Sequence, residues 1–147
     1  MKLKLKNIQI VAMKLALDTI DNTQRRGEFK PFDFPAKGIY WIGRITSKVR
    51  AEFDSIEKTR MDLVTKYMEK QTAAGSKNQA QLEGQFLTDF SREYTAQVLE
   101  MQVEVEIPVL KLSYLNLSAN SHFPTGVISD LDPIIEDDLP ADSDQKK

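Results

Sequence analysis

IYWIGRITSKVRAEFDSIEKTRMDLVTKY, residues 39–67, is the stretch on which the fold turns. Within it Ile42, Ile45, Val49, Phe53, Ile56, Leu63 and Tyr67 recur at three- and four-residue steps, and only Arg60 interrupts them. That period places them on one face of a helix. The helix is expected over 36–70, a rod of about 50 Å at 1.5 Å per residue. Its opposite face carries Glu52, Asp54, Glu57, Lys58, Asp62 and Lys66, several spaced for weak intrahelical ion pairs. Residues 71–79 are small and polar, and Gly75 suits a helix end. A second stripe follows in four-residue steps, Leu82, Phe86, Phe90, Tyr94 and Val98, up to about 101. Neither helix can hide its stripe alone, so the two are expected to pack as an antiparallel hairpin.

Outward from the hairpin, both flanks alternate with a period of two. Leu3 and Leu5 oppose Lys2, Lys4 and Lys6, and Val103, Val105 and Ile107 oppose Gln102, Glu104 and Glu106. Each is a strand, and lysine against glutamate predicts that they pair. A strand continuing over 109–115 is also expected. Asn7 is a candidate N-cap for a helix over Ile8, Val11, Ala12, Leu15 and Ala16, reaching about residue 20. Residues 21–35 read as a loop pinned by Phe29, Phe32 and Phe34, and 118–130 as a loop and one short helix. The expected architecture is α+β and mainly helical: a long antiparallel helical hairpin on a small two-stranded base, with a short N-terminal helix.

Charge divides the chain. The formal net charge is −2, yet from residue 130 onward there are seven acids and two lysines, which leaves the rest at +3. A single domain over 1–129 and an acidic, largely disordered tail over 130–147 are the boundaries this predicts. The tail serves as a solubilising end or as a docking peptide, with Leu131, Ile134 and Ile135 as anchors and acids such as Asp137 and Asp138 seeking a basic surface.

Several kinds of chemistry are excluded. There is no cysteine, hence no disulfide, thiolate nucleophile or cysteine-ligated metal, and one histidine, His122, cannot make a two-histidine metal motif. The glycines form no phosphate loop and no serine sits in a nucleophile elbow. The terminal acids lack calcium-loop spacing. No cofactor, no metal and no enzymatic activity are expected, nor a transmembrane span. Two binding surfaces remain as candidates. One is the hairpin stripe around Phe53, Ile56, Met61 and Leu63, left partly open if the rod protrudes, for a protein partner or a second copy. The other is the cation–aromatic mixture of Arg25, Arg26, Lys30, Trp41 and Arg44, which suits nucleic acid, although +3 is a weak field for that task.

With its strand, aromatic-rich proline segment, long helix with Glu57, Arg60 and Leu63 in an E-x-x-R-x-x-L spacing, second helix and VEVEI strand, the chain resembles small, mostly uncharacterised helical-hairpin proteins of tailed bacteriophages. The resemblance spans about residues 1–130. It implies a phage origin and a place in the host cytoplasm or the virion, and carries over no catalytic residue. The expected function is a non-enzymatic interaction protein, an inhibitor or adaptor of a host or phage protein. A structural component of the particle and a nucleic-acid-binding accessory are the alternatives.

Overall fold

A computed structural model describes residues 2–26 and 32–139, with 22–26 described for their backbone path alone. The chain forms β1 (Lys2–Lys6), α1 (Asn7–Arg26), α2 (Ala36–Ala73), α3 (Gly84–Tyr94), a π-helical turn (Thr95–Leu99), β2 (Gln102–Glu106), β3 (Leu110–Lys111), a 3₁₀ turn (Leu112–Leu115), α4 (Thr125–Asp130), a second 3₁₀ turn (Asp132–Ile134) and β4 (Ile135–Glu136). The class is α+β, mainly helical.

The apolar pattern explains the layout. Ile10, Met13, Ala16, Leu17 and Ile20 of α1 are buried against Ile45, Val49 and Ile56 of α2 in one core, because both sets repeat at helical spacing. β1 and β2 pair antiparallel with Lys2 opposite Glu106, Lys4 opposite Glu104 and Lys6 opposite Gln102, so Leu5 and Val105 face inward together. The ion pairs themselves lie on diagonals, Lys2 to Glu104 at 4.0 Å and Lys6 to Glu100 at 3.4 Å, and are exposed. Such pairs are worth at most about 1 kcal/mol each. Register therefore rests on the buried alternation more than on charge.

Beyond this frame the structure departs from the sequence reading at five places. First, α1 runs to Arg26 instead of ending near residue 20. Residues 21–26 contain no glycine or proline, and their polar side chains cost only tenths of a kcal/mol in a helix.

Second, Asn7 does not cap α1 with its side chain. Its buried Nδ2 donates to Val98 O at 2.9 Å, and the backbone N–H of Lys6 is met by Gln9 Oε1 at 2.8 Å, half of a capping box.

Third, the second helix is not one α-helix over 82–101. In an α-helix a four-residue step overshoots a full turn, so the strict stripe Leu82, Phe86, Phe90, Tyr94, Val98 drifts around the surface. The π turn at Thr95–Leu99 holds more residues per turn and winds Val98 back into the core.

Fourth, 109–115 does not extend β2. Leu110–Lys111 pairs parallel with Ile135–Glu136, and a 3₁₀ turn follows.

Fifth, the segment from 130 onward is not an appended tail over its first ten residues. Leu131 is 0% and Ile134 2% exposed, both in the main core. The rest of the tail expected to be disordered, 140–147, lies outside the described residues.

Gly38 sits where the first turns of α2 meet the 3₁₀ turn. A Cβ there would fall 2.2 Å from the Tyr114 carbonyl oxygen, so only glycine admits this approach of backbone to backbone.

Candidate functional site

Two stretches of α2 carry the surfaces of interest, and the distal hairpin is the larger. Tyr67 and Leu82 are buried yet stand outside the main core cluster, so residues beyond about 60 form a second, two-helix layer of their own. Its two helices are joined by Tyr67, whose hydroxyl donates to Glu93 Oε1 at 2.6 Å, and by Lys66, 3.2 Å from the same carboxylate. The Tyr67 ring meets Phe90 edge-on at 6.4 Å, and Phe90 stacks on Tyr94 at 5.7 Å. The Tyr67 hydroxyl, then Lys66, holds Glu93 below the ordinary carboxylate value, and the same hydrogen bond raises Tyr67.

The link between the helices is fastened by Gln71, 0% exposed. Its Nε2 donates to Asn78 O and Gln81 O, both at 3.2 Å, and its Oε1 accepts the Glu83 N–H at 3.0 Å. Three backbone groups are satisfied by one side chain. The chain turns through Gly75 at φ +97°. The signal for Gln71 in the sequence is that it continues the Leu63–Tyr67 stripe by one more turn, on the face that points inward.

The hairpin has two unlike flanks. Lys66, Lys70, Asp89, Arg92 and Glu93 occupy one of them. Helical geometry puts Met61, Val64 and Met68, at three- and four-residue steps, on the other flank of α2. On α3 that flank is Leu87 and Tyr94, and Tyr94 lies close enough to Glu57 and Arg60 to feel both charges. Met61 is 49% and Leu87 46% exposed, while Val64, Met68, Phe86 and Phe90 are half-buried. Val64, Thr65, Met68, Thr72 and Gln79 line a shallow depression of about 560 Å³. One turn and more before it on α2, Glu57 and Arg60 bind each other in a fork, which lowers the glutamate and raises the arginine.

The residues expected to form a partner surface are thus redistributed. Ile56 is core, and Phe53 is half-buried beneath Lys14, whose Nζ is 4.9 Å from the ring centroid. Leu63 is half-buried at the start of the hairpin layer, and Met61 alone of the four is exposed. Leu131 and Ile134 are core side chains, and Ile135 is half-buried in β4, so none of the three is a free anchor. Asp138 accepts from Ser113 N at 2.9 Å and Ser113 Oγ at 2.6 Å, which lowers its carboxyl, and Asp137 accepts from the Leu139 N–H.

At the other end of α2 the nucleic-acid candidates separate. Trp41 and Arg44 come together with Tyr40: the two rings meet edge-on at 5.2 Å, and the guanidinium lies 5.8 Å and 6.0 Å from their centroids. Arg25 and Arg26 are on the last turn of α1 and not in a loop, and Lys30 lies outside the described residues.

No family model, curated protein or solved structure matches the chain.

Elsewhere, His122 is exposed and stacks on Phe32 at 4.8 Å. Among the described residues no three His, Asp or Glu side chains are grouped so as to hold a metal ion, and no helix is long and apolar enough to cross a membrane. Asn120, buried and unforeseen, takes the Asp33 N–H on Oδ1 at 2.7 Å and donates to Leu115 O at 2.7 Å and Asp33 O at 3.2 Å, tying the chain before α2 to the C-terminal third.

Proposed function

We propose that the protein acts without catalysis, as a protein–protein interaction module whose distal hairpin docks an amphipathic helix of a partner. The observation that carries this reading is the open flank of Met61, Val64, Met68 and Leu87, apolar side chains left on a layer only two helices thick. A third helix laid along that flank would complete a small bundle, with methionines that adapt to its shape. The resemblance to phage hairpin proteins makes the partner a host or phage protein, met in the host cytoplasm, and the role that of inhibitor or adaptor.

A second reading, self-association as a component of a particle, uses the same flank. It is favoured by charge: residues 57–94 hold six cations and six acids, so no net repulsion opposes a second copy.

The test is a photo-crosslinking residue at position 87 in the full chain, in cells that make it. Capture of one protein that disappears with Met61→Asp and persists with Lys77→Gln supports docking through this flank. Capture of a second copy with the same pattern, and a dimer in light scattering, supports self-association. Capture indifferent to Met61→Asp, or none, sinks both.

A further inference from the structure

The first sixteen residues of α2, 36–51, carry four cations and no acid. Lys37, Arg44 and Lys48 fall on one face, two turns and then one turn apart, about 10 Å and 6 Å along the axis. Tyr40 and Trp41 stand between them on the same side. All three cations are exposed, and among the described residues none forms a salt bridge, although carboxylates elsewhere on the chain pair freely with lysine and arginine. Arg50 is also unpaired among the described residues. It points away from this ridge, at the edge of a groove of about 330 Å³ between α1 and α2.

We propose that this ridge, Lys37, Tyr40, Trp41, Arg44 and Lys48, is a binding site for single-stranded nucleic acid. The ridge is built of what such a strand requires: cations in file for successive phosphates, and between them rings whose faces accept bases of any sequence. Arg44 serves both needs, since its guanidinium lies over both rings while its hydrogen-bonding edge reaches Tyr40 Oη at 3.3 Å. A duplex keeps its bases stacked and gives the rings nothing, so the single strand is the fitting ligand. An acidic peptide would satisfy the cations and leave the aromatic pair unused. The site differs from the Arg25–Lys30 cluster suggested by sequence adjacency: it is a face of one helix, and proximity along the chain does not define it. It also lies away from the hairpin flank, so it stands or falls independently of the docking role.

The experiment is fluorescence anisotropy of a labelled oligodeoxythymidine with the full chain, as a function of salt. Three neutralised phosphates on a single strand give a slope of log affinity against log salt of about −2, or an affinity loss of roughly twentyfold between 50 and 200 mM. Lys48→Gln is expected to reduce that slope by about 0.7. Tyr40→Ala is expected to weaken binding at least about fivefold while leaving the slope unchanged. Both side chains are exposed, so both variants keep the fold, and Lys77→Gln at the far end leaves binding as it was. The proposal is overturned by binding weaker than about 10⁻⁴ M at 50 mM salt. It is equally overturned by a slope that Lys48→Gln does not change, by a Tyr40→Ala variant that binds normally, or by polyglutamate that competes as well as the oligonucleotide.

Discussion

Ile134→Ala decides whether the acidic end of the chain is an accessory or part of the fold. Ile134 is 2% exposed and shares the main core with Leu131, Val127 and Leu110, beside the short parallel pairing of β3 with β4. Removing three buried carbons from such a site costs the transfer term and leaves a cavity, together about 2–5 kcal/mol. With a urea m-value of about 2 kcal/mol/M for a domain this size, the midpoint of unfolding should fall by about 1–2.5 M at unchanged m. Truncation after 129 is harsher, since it removes Leu131, Ile134 and β4 together. These side chains are neighbours, so their costs do not simply add, but the loss approaches the whole stability of about 5–15 kcal/mol expected for a domain. Truncation after 139 should change stability by no more than about 0.5 kcal/mol. Urea titrations followed by circular dichroism compare the three directly. An Ile134→Ala midpoint within about 0.3 M of wild type, or a cooperative transition retained in 1–129, would refute the placement of this segment in the core.

Three further outcomes follow from particular contacts. Gly38→Ala forces a Cβ onto the Tyr114 carbonyl oxygen; a loss of about 1–3 kcal/mol in thermal or urea unfolding is expected, and an unchanged or raised Tm would contradict it. Gln71→Ala leaves Glu83 N–H and two carbonyls without their partner, at about 1–3 kcal/mol, and hydrogen exchange should quicken over 74–83 while the α1 amides stay protected. Glu93 and Glu83 both titrate below their ordinary value of 4.5, Glu93 through Tyr67 and Lys66, Glu83 through Asn78 and Ser76. Depressed carboxyls stabilise the folded form fully above 4.5 and lose that contribution as pH falls below it. Hairpin amides should therefore exchange faster, relative to their intrinsic rates, than those of the main core as the solution is acidified through that window; equal change in both would count against it.

Much of this architecture was legible because burial imposes a period. The Ile42–Tyr67 stripe, the lysine–glutamate strands and Gly75 each follow from one local rule, and the structure agrees with each. Errors arose where tertiary contact decided. Nothing in the run from Asp130 to Asp138 signals that Leu131 and Ile134 face inward, because the intervening acids have the composition of a solvated end and the core they enter is built of side chains distant in sequence. The π turn was hidden for a related reason: a strict four-residue stripe reads as an α-helix unless its drift is counted around the axis. For the candidate surfaces, adjacency in sequence is not proximity in the fold. Arg25 and Trp41 are near in sequence and on different helices, whereas Lys37, Arg44 and Lys48 are spread over eleven steps and share a face.

That both candidate surfaces belong to α2 has a mechanical consequence. The hairpin flank centres near residue 65 and the cationic ridge near 42, so they are separated by about 35 Å along one continuous helix and turned to roughly opposite sides of it. No hinge lies between them: α2 is unbroken, and Ile45, Val49 and Ile56 hold its middle in the core. Two ligands could then be held at once at a fixed distance, which is what an adaptor does, whereas an inhibitor needs only the flank. The distinction can be measured. Saturating the ridge with oligonucleotide should leave crosslinking at position 87 unchanged if the surfaces are independent, and Tyr40→Ala should weaken oligonucleotide binding without changing crosslinking to the protein partner. Mutual exclusion at that separation, on a rod with no joint, would require the partner to cover most of the length of α2, and would favour an inhibitor that wraps the helix over an adaptor that bridges two ligands.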